Sequence, residues 1–530
     1  MFKEGIKVTL QLTINGQSWK ILGGRIKDFS LQMHNYGFEA NAEFWMYKED
    51  EKGLFSAFSG DSLIEAELKL ELYFERPKPA PNAIVAKGIV FERQLKERVL
   101  NQPDEPFVRY YLLRFCDAAQ LFWTHHKPCK LFTEATMQDI LDSEKGEKID
   151  ISTTWEIFTK QHPILFLGFP QDINNASFYD FILWYTHAQN GVWNYKHKEN
   201  KYTIEQEKES STALQLPRED VSEWRVSLPK IMRYNKRILN GYTENAVTTD
   251  IILDTSISDY TQDVYIRTAI NKQLEEQTQL QKDIHQNEEH QVYLQFTHFP
   301  TVDVVPGTII EFDSQKGWEG KAYLSENTYR SVSLTINASA ERQDPYSDLI
   351  TAYNSYFFNV HARLETQDEK KVNLPHFRIP NYKVYVEGKV VSDGDEPDET
   401  YQIYENEDTS EKIYRVAMPL WEDKQVIVPF EPNLFSGHIY FPCYKNSRVL
   451  IELKFQTAAI YRFLDWRLDS KLPQDTQGNS ILLGLTEKSE TAVKHVYEDS
   501  KPVFNMCRKN ESDTQVVEFK EGIITIETKD

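Results

Sequence analysis

The sequence is poor in glycine and lacks the glycine-rich loops that bind nucleotides. Glycine accounts for 21 of the 530 residues, and neither G-x-G-x-x-G nor G-x-x-x-x-G-K-[ST] occurs. Such loops surround phosphate oxygens with backbone N–H groups. Their absence argues against the common classes of nucleotide-dependent enzyme.

Closely spaced cysteines are also missing. The four cysteines, Cys116, Cys129, Cys443 and Cys507, are far apart in the sequence and form no C-x-x-C pair. Because a disulfide framework or a zinc ribbon depends on such spacing, neither is predicted. This cysteine usage fits synthesis in a reducing compartment.

Long apolar runs are absent as well. No run approaches the roughly 18 residues that a membrane-spanning helix needs. Residues 1–16 alternate polar and apolar side chains, whereas a signal peptide has a charged region followed by an apolar one. We therefore expect neither a signal peptide nor a membrane span. If the protein leaves its cell, another machine must export it.

Positive charge is in deficit. The chain has 60 Lys and Arg against 81 Asp and Glu, a net charge of −21. Proteins that bind nucleic acid neutralise its phosphates with clustered Lys and Arg, so nucleic acid is not an expected partner. Aromatic residues make up 13% of the chain, too many for a disordered acidic protein.

What the sequence does contain is alternation with a period of two. Apolar residues occupy every second position from Leu68 to Phe74, as in a half-buried strand. Similar extended runs occur at 83–91, 107–115, 291–297, 302–312, 331–338, 384–391, 412–418, 425–428 and 448–455. The chain is therefore predicted to be mainly β with a few α-helices.

Two capping patterns predict helices. Thr136 with Asp139 indicates the start of a short helix. Ser177 with Asp180 indicates the start of a helix of about three turns, which ends at Asn190-Gly191 and is followed by a hairpin. A weakly amphipathic third helix is predicted from about residue 266 to residue 290.

Histidine and acidic clusters are the candidates for metal binding. His125 and His126 lie near Cys129, but no second ligand pair has zinc-site spacing, so a turn at a strand end is favoured. His285 and His290 are placed on the solvated face of the third helix, because their spacing differs from H-E-x-x-H. The acidic residues 393–399 do not follow the calcium-loop order and are predicted to form a solvated loop.

Catalytic motifs are not found. The sequence has no G-x-S-x-G elbow, although a pair of carboxylates for glycoside cleavage stays open because it is defined by spatial separation. No catalytic, cofactor-binding or metal-ligating residue is predicted.

The order of several short motifs resembles one family. Residues 174–204, with Phe178, Phe181, Trp184 and Gly191, are similar to the aromatic helix and following strand in the hub of VgrG-type spike proteins. These proteins belong to type VI secretion and related contractile injection systems, and are similar to the hub and spike of contractile-phage baseplates. Three further segments of this sequence resemble motifs of the family's hub: KLFTEATMQDIL (130–141), KGIVFE (87–92) and VVPGTIIEF (304–312).

Later segments resemble the module that lies between hub and needle in this family. YVEGKVVSDGD from Tyr385, YRVAMPL from Tyr414 and RVLIEL from Arg448 are similar to its OB-fold strands. The sequence departs from the family at 445–448, where a Gly-[DN]-Glu turn is usual, and at 461–467, where a Gly-Asp-Pro segment is usual.

The resemblance implies two hub β-barrel-like domains, an OB-fold module and a short C-terminal trimeric β-prism or β-helix. The implied divisions are 1–105 for the first barrel, together with later strands, and 106–375 for the second barrel with helical inserts. Residues 376–470 then form the OB-like module, and 471–530 form a short needle or tip-docking segment.

The C-terminal segment is the predicted assembly site. If it forms a needle, Val516, Phe519, Ile523 and Ile526 point toward a three-fold axis or a neighbouring chain. The alternative is an ordinary terminal hairpin packed on the barrel.

The resemblance implies a structural, non-enzymatic function. As a homotrimer, the protein would cap an inner tube of Hcp-like rings, contact baseplate subunits, carry a PAAR-like tip protein and effectors, and puncture a target membrane. It would be assembled in the bacterial cytoplasm and then secreted or injected.

Two other functions remain open. One is a phage-tail-like enzyme that degrades cell walls. The other is a carbohydrate-binding β protein, to which Trp184, Trp193 and Trp466 would contribute, although tryptophan more often packs in a core.

Overall fold

The structure is a computed structural model that describes residues 1–72, 83–98, 107–169, 175–382, 384–392, 403–406, 412–430, 445–464, 478–486 and 489–529. The predicted loop 393–399, Cys443 and Trp466 lie outside these residues. The chain forms two compact units. The first comprises Met1–Lys127, Leu141–Thr159 and Ile173–Pro380, and the second comprises Pro128–Ile140, Lys160–Asp172 and Asn381–Asp530.

Strands far outnumber helices, which confirms the predicted fold class. The strands up to residue 366 are β1 (Phe2–Ile14), β2 (Gln17–Leu22), β3 (Ile26–His34), β4 (Gly37–Tyr47), β5 (Ile64–Leu72), β6 (Ile84–Arg98), β7 (Val108–Cys116), β8 (Cys129–Ala135), β9 (Ile151–Thr153), β10 (His162–Gly168), β11 (Val192–Lys196), β12 (Lys201–Glu205), β13 (Leu214–Gln215), β14 (Val221–Ser227), β15 (Asn235–Asn240), β16 (Val247–Ile251), β17 (Thr261–Ile266), β18 (Gln291–Phe296), β19 (Ile309–Glu311), β20 (Tyr329–Ala340) and β21 (Tyr353–Thr366).

The remaining elements complete the chain. The later strands are β22 (Val384–Val391), β23 (Tyr404–Glu405), β24 (Lys412–Met418), β25 (Lys424–Pro429), β26 (Arg448–Leu453), β27 (Ala458–Phe463), β28 (Gly478–Thr486), β29 (Ser489–Glu498), β30 (Lys501–Asn510), β31 (Asp513–Lys520) and β32 (Ile523–Lys529). The helices are α1 (Leu54–Ser59), α2 (Ala118–His125), α3 (Met137–Glu144), α4 (Phe178–Ala188) and α5 (Asn271–Ile284).

Eight strands of the first unit form a closed antiparallel barrel. Its order is β20-β3-β4-β7-β6-β5-β1-β21, and β21 pairs back to β20. Alternation directs every second side chain inward, so Leu10, Leu68 and Leu334 are fully buried. Closure gives each strand two hydrogen-bonded neighbours, which removes exposed sheet edges.

A second, smaller barrel-like arc shares two of these strands. Its order is β13-β19-β20-β21-β18-β14, and the short connection 216–220 joins its two end strands. A β-bulge between Ser331 and Ser333 lies where the partner of β20 changes from β19 to β3. Bulges bend a strand and increase its twist, so β20 can belong to both barrels.

The predicted helix starts are confirmed by their hydrogen bonds. Asp180 N donates to Ser177 Oγ at 3.3 Å and Ser177 N donates to Asp180 Oδ2 at 2.8 Å, a complete capping box at α4. Thr136 and Asp139 form the same reciprocal pair before α3. After α4, Asn190 adopts a left-handed φ of 57° and the predicted hairpin β11–β12 follows.

The third predicted helix is shorter than expected, and the prediction for its histidines was wrong. Helix α5 ends at Ile284, so His285 and His290 do not share a solvated helix face. Both are buried. His285 Nε2 lies 3.0 Å from the carbonyl oxygen of Tyr234, and His290 Nε2 lies 3.0 Å from the hydroxyl of Tyr329.

The second unit contains a six-stranded sheet in the region predicted to be OB-like. Its order is β23-β24-β22-β26-β27, with β25 paired to β24. Its core of valine and isoleucine side chains also contains Leu131, Ile164 and Phe166 from the antiparallel strand pair β8 and β10. The division of the chain into four domains stays a prediction.

Candidate assembly surface

The last five strands of the second unit form a sheet in strict sequence order. Strands β28 to β32 are all antiparallel to their neighbours. Two of the connecting turns have paired left-handed residues, Asp499-Ser500 and Glu521-Gly522. Such two-residue turns match the twist of a hairpin, and the second is at the predicted position.

The register of this sheet separates the four predicted interface residues. Phe519 lies opposite Ile524, and Val517 lies opposite Ile526. Directly opposed side chains share one face of an antiparallel pair and successive ones alternate. Phe519 and Ile526 therefore lie on one face, whereas Val516 and Ile523 lie on the other.

The face with Phe519 and Ile526 is dominated by apolar residues. We call it the apolar face, and its apolar members are Ile481, Val493, Tyr497, Phe504, Met506, Val517, Phe519, Ile524 and Ile526. In the single chain, Ile524 is 63% exposed and Ile526 is 76% exposed. A contiguous exposed apolar surface of this kind marks an interaction site. Sequence reasoning missed seven of its members, because their common face depends on the register of five strands.

The opposite face is rich in charge. It carries Lys494, Glu498, Lys509, Glu518, Lys520, Glu527 and Lys529. Lys520 forms an ion pair with Glu498, and Lys529 Nζ lies 2.8 Å from Glu527 Oε1. Small residues Ala492 and Val503 are buried on this face. The two faces thus differ in polarity: one is mainly apolar, and the other combines ion-paired charged side chains with two buried apolar residues.

The other candidate residues occupy structural positions. His126 Nε2 lies 2.9 Å from Glu144 Oε2, and Cys129 is exposed. Among the described residues, no group of three or more His, Cys, Asp or Glu side chains is placed to hold a metal ion. None of the helices in the described part of the chain is long and apolar enough to cross a membrane.

A fully buried carboxylate, Asp117, serves the fold of the first unit. Burial raises its pKa, while its oxygens accept hydrogen bonds from the backbone N–H groups of Phe38 and Gln120 and from the hydroxyl of Tyr202. The carboxylate caps α2 and ties it to β4 and β12.

The tryptophans considered for carbohydrate binding differ in exposure. Trp193 is buried against Trp123 with ring centroids 6.0 Å apart, and Trp184 is half-buried.

Comparisons with known proteins identify the fold. No protein-family model and no curated protein matches the sequence. A chain in the structure of the PdpA-VgrG complex, lidless, aligns with a TM-score of 0.75 and 13% identity, covering 99% of this chain and 99% of that chain. The lidded Francisella PdpA-VgrG complex gives a TM-score of 0.75 and 14% identity, covering 100% of this chain and 80% of the other. The half-lidded Francisella complex gives the same score and identity, with coverages of 99% and 88%.

These likenesses extend over essentially the whole chain. They confirm the predicted resemblance to VgrG-type spike proteins at the level of the fold. The fold of this chain is therefore similar to that of a chain in these complexes.

Proposed function

We propose that this chain is the structural spike and hub of a contractile injection apparatus of the type VI secretion kind. The observation that carries the proposal is the full-length likeness to a chain of the PdpA-VgrG complex. The exposed apolar face of the C-terminal sheet supports it independently, because a spike of this kind must bury such a face by association. No catalytic step is part of the proposed function.

Three copies are proposed to assemble through the apolar face. Burying Ile524 and Ile526, which are more than half exposed in one chain, removes apolar surface from water at roughly 25 cal/mol per Å². The charged face then remains in solvent. Phe519 and Ile526 are thus proposed to point toward the axis, and Val516 and Ile523 away from it or toward a neighbouring chain.

The proposed partners follow from the same assembly. The trimeric hub caps a tube of Hcp-like rings and contacts baseplate subunits, while the short needle carries a PAAR-like tip protein and effectors. A PdpA-like protein is a further proposed partner, since PdpA is named in the complexes of similar fold. The protein is proposed to assemble in the cytoplasm and to leave the cell when the sheath contracts.

The native mass tests this proposal. A particle of three times the 62.2 kDa chain mass is expected at micromolar concentration in light scattering or native mass spectrometry. Ile526→Asp places a charge in the apolar face and is expected to give single chains. Ile523→Asp is the matched control, because Ile523 lies on the same strand, is 65% exposed and faces the other way.

Two results would contradict the proposal. A stable single chain at micromolar concentration would contradict the proposed trimer. Dissociation by Ile523→Asp with retention of the trimer by Ile526→Asp reverses the assignment of the faces. Delivery is tested separately: the protein is expected outside the cell only when a contracting sheath is present, and release from a sheath-deficient strain would contradict injection.

A further inference from the structure

A cavity of about 640 Å³ lies over the sheet that joins the two barrels of the first unit. Its floor is formed by outward-facing residues of β14, β18, β21, β20 and β3, and Asn373 and Leu374 line part of it. The volume is within the range of ligand-binding pockets. The cavity is distant in sequence from the apolar face, and the proposed function does not use it.

The strand register builds one continuous row across this floor. Arg225 lies opposite Tyr293, Tyr293 opposite Arg363, Arg363 opposite Ser333, and Ser333 opposite His34. We call these five residues the cationic row. Residues directly opposed in antiparallel pairs share a face, so the row presents two guanidinium groups on either side of one tyrosine.

The two guanidinium groups have no anionic partner among the described residues. Arg225 packs over the Tyr293 ring, 4.6 Å from its centroid. Arg363 Nε is buried and has no hydrogen-bond partner within the described part of the chain. Arginines elsewhere in the first unit that lie beside acids do form such pairs: Arg114 binds Glu92 at 2.9 Å, and Arg237 binds Asp263 through two hydrogen bonds.

The positive charge of the row is concentrated on the two arginines. Burial, together with the charge of Arg363, lowers the pKa of His34, so this imidazole is neutral at pH 7 and serves as a hydrogen-bonding group. His34 also stacks on Tyr36 with ring centroids 4.8 Å apart. In a chain with a net charge of −21, two neighbouring arginines without acidic partners among the described residues form a local excess of positive charge.

The neighbouring row favours a peptide over a polyphosphate. It contains Glu223, Gln295, His361, Thr335 and Gln32. The hydroxyl and amide groups can bond to a peptide backbone, whereas Glu223 repels a dense polyanion. Nucleic acid also requires many clustered cations, and the row offers two.

From this arrangement we infer that the cationic row is a docking site for an acidic peptide segment of a partner protein, with one carboxylate bound by Arg225 and a second bound by Arg363. Arginine binds carboxylates through two parallel N–H···O bonds. Arg225 and Arg363 are two strands apart across the sheet, about 9.6 Å between backbones, and alternate side chains of an extended peptide are about 6.6 Å apart on one side. The difference of about 3 Å is within the reach of the long glutamate and arginine side chains. This inference does not depend on the proposed spike function.

The probe is a labelled five-residue peptide with glutamate at its second and fourth positions, compared with the same peptide carrying glutamine. Fluorescence anisotropy on the full-length protein is expected to detect the glutamate peptide, with affinity falling as salt rises. Arg225→Met and Arg363→Met are each expected to weaken binding by at least about tenfold, because each removes a charge-assisted hydrogen-bonding group.

Arg267→Met is the matched control, since Arg267 is an exposed arginine of the first unit outside the cavity, and it is expected to bind normally. Unchanged circular dichroism and native mass show that the variants fold and assemble, so a failed docking site is distinguishable from a failed trimer. Equal binding by all variants, or no binding by the unaltered protein at millimolar peptide, overturns the inference. Tighter binding of free glutarate or of a short single-stranded DNA overturns the assignment to a peptide.

Discussion

The closed barrel of the first unit and the five-stranded sheet at the C-terminus are built from the same kind of strand, yet their apolar sides end in different environments. In the barrel, Leu10 and Leu334 are fully buried, because the sheet closes and encloses its own apolar side. In the C-terminal sheet, Ile524 and Ile526 are exposed, because an open sheet of one chain has nothing to enclose. Alternation of polar and apolar residues therefore gives a sheet one apolar side. Closure of the sheet determines whether that side is buried within a single chain.

The largest expected difference concerns apolar truncation. Leu334→Ala should lower the free energy of unfolding of the first unit by about 2–5 kcal/mol, because it leaves a cavity in a packed core. Ile524→Ala should change the stability of a single chain by no more than about 0.5 kcal/mol, as at other exposed sites. Denaturant unfolding followed by tryptophan fluorescence measures the first value, and hydrogen exchange of β31–β32 measures the second.

Thr335→Ala is the control for the barrel, since Thr335 is the next residue on β20 and points to the other face. The contrast between the barrel and the C-terminal sheet would be contradicted if Leu334→Ala lowered the free energy of unfolding by no more than Thr335→Ala does. The contrast would be strengthened if Ile524→Ala were strongly destabilising only under conditions where the native mass is that of three chains.

A pH effect of intermediate size is expected from the first unit alone. Burial lowers the pKa of His197 to about 4, below the ordinary value of about 6.5 in an unfolded chain. Between these values the unfolded state binds the extra proton, so stability falls as pH falls below about 6.5 and stops falling below about 4. At pH 5 the loss is about 2 kcal/mol relative to pH 7.

Denaturant midpoints at pH 7 and pH 5 test this dependence, with His197→Gln as the variant that lacks the titrating ring. The loss between the two pH values should be smaller in the variant. An identical pH dependence in both proteins would show that His197 is not the titrating group.

The smallest expected effect concerns the turns of the C-terminal sheet. Gly522 has a φ of 79°, where a side chain is strained, so Gly522→Ala should destabilise the β31–β32 hairpin by about 1 kcal/mol. Faster amide exchange in these two strands is the readout. Gly522→Asn should restore much of the protection, because asparagine tolerates the left-handed region. Equal exchange in all three proteins would mean that the turn does not limit the hairpin.

Local features of the fold could be predicted from the sequence, and nonlocal ones could not. The capping boxes at Ser177 and Thr136 and the turn at Glu521-Gly522 involve neighbours in the chain, so residue types and spacing are sufficient. The pairing of β1 with β21 joins residues more than three hundred positions apart. Alternation alone does not choose between such partners.

The candidate surface shows the same limit. Val516, Phe519, Ile523 and Ile526 are all apolar in an alternating segment, but the two-residue turn between β31 and β32 sets which of them share a face. Likewise, the cationic row joins five strands that are scattered between residues 34 and 363. Its members become a site only when the register is known.

The hairpin of β20 and β21 has a mechanical consequence. Because these strands belong to both the closed barrel and the smaller arc, the two barrels have no flexible linker between them about which they could swing. The 12 residues of β20 span roughly 40 Å at about 3.3 Å per residue. A load applied along these strands at one barrel reaches the other as shear across many hydrogen bonds at once, rather than as peeling of one bond after another. The two barrels of the first unit should therefore resist axial force together, as one rigid body.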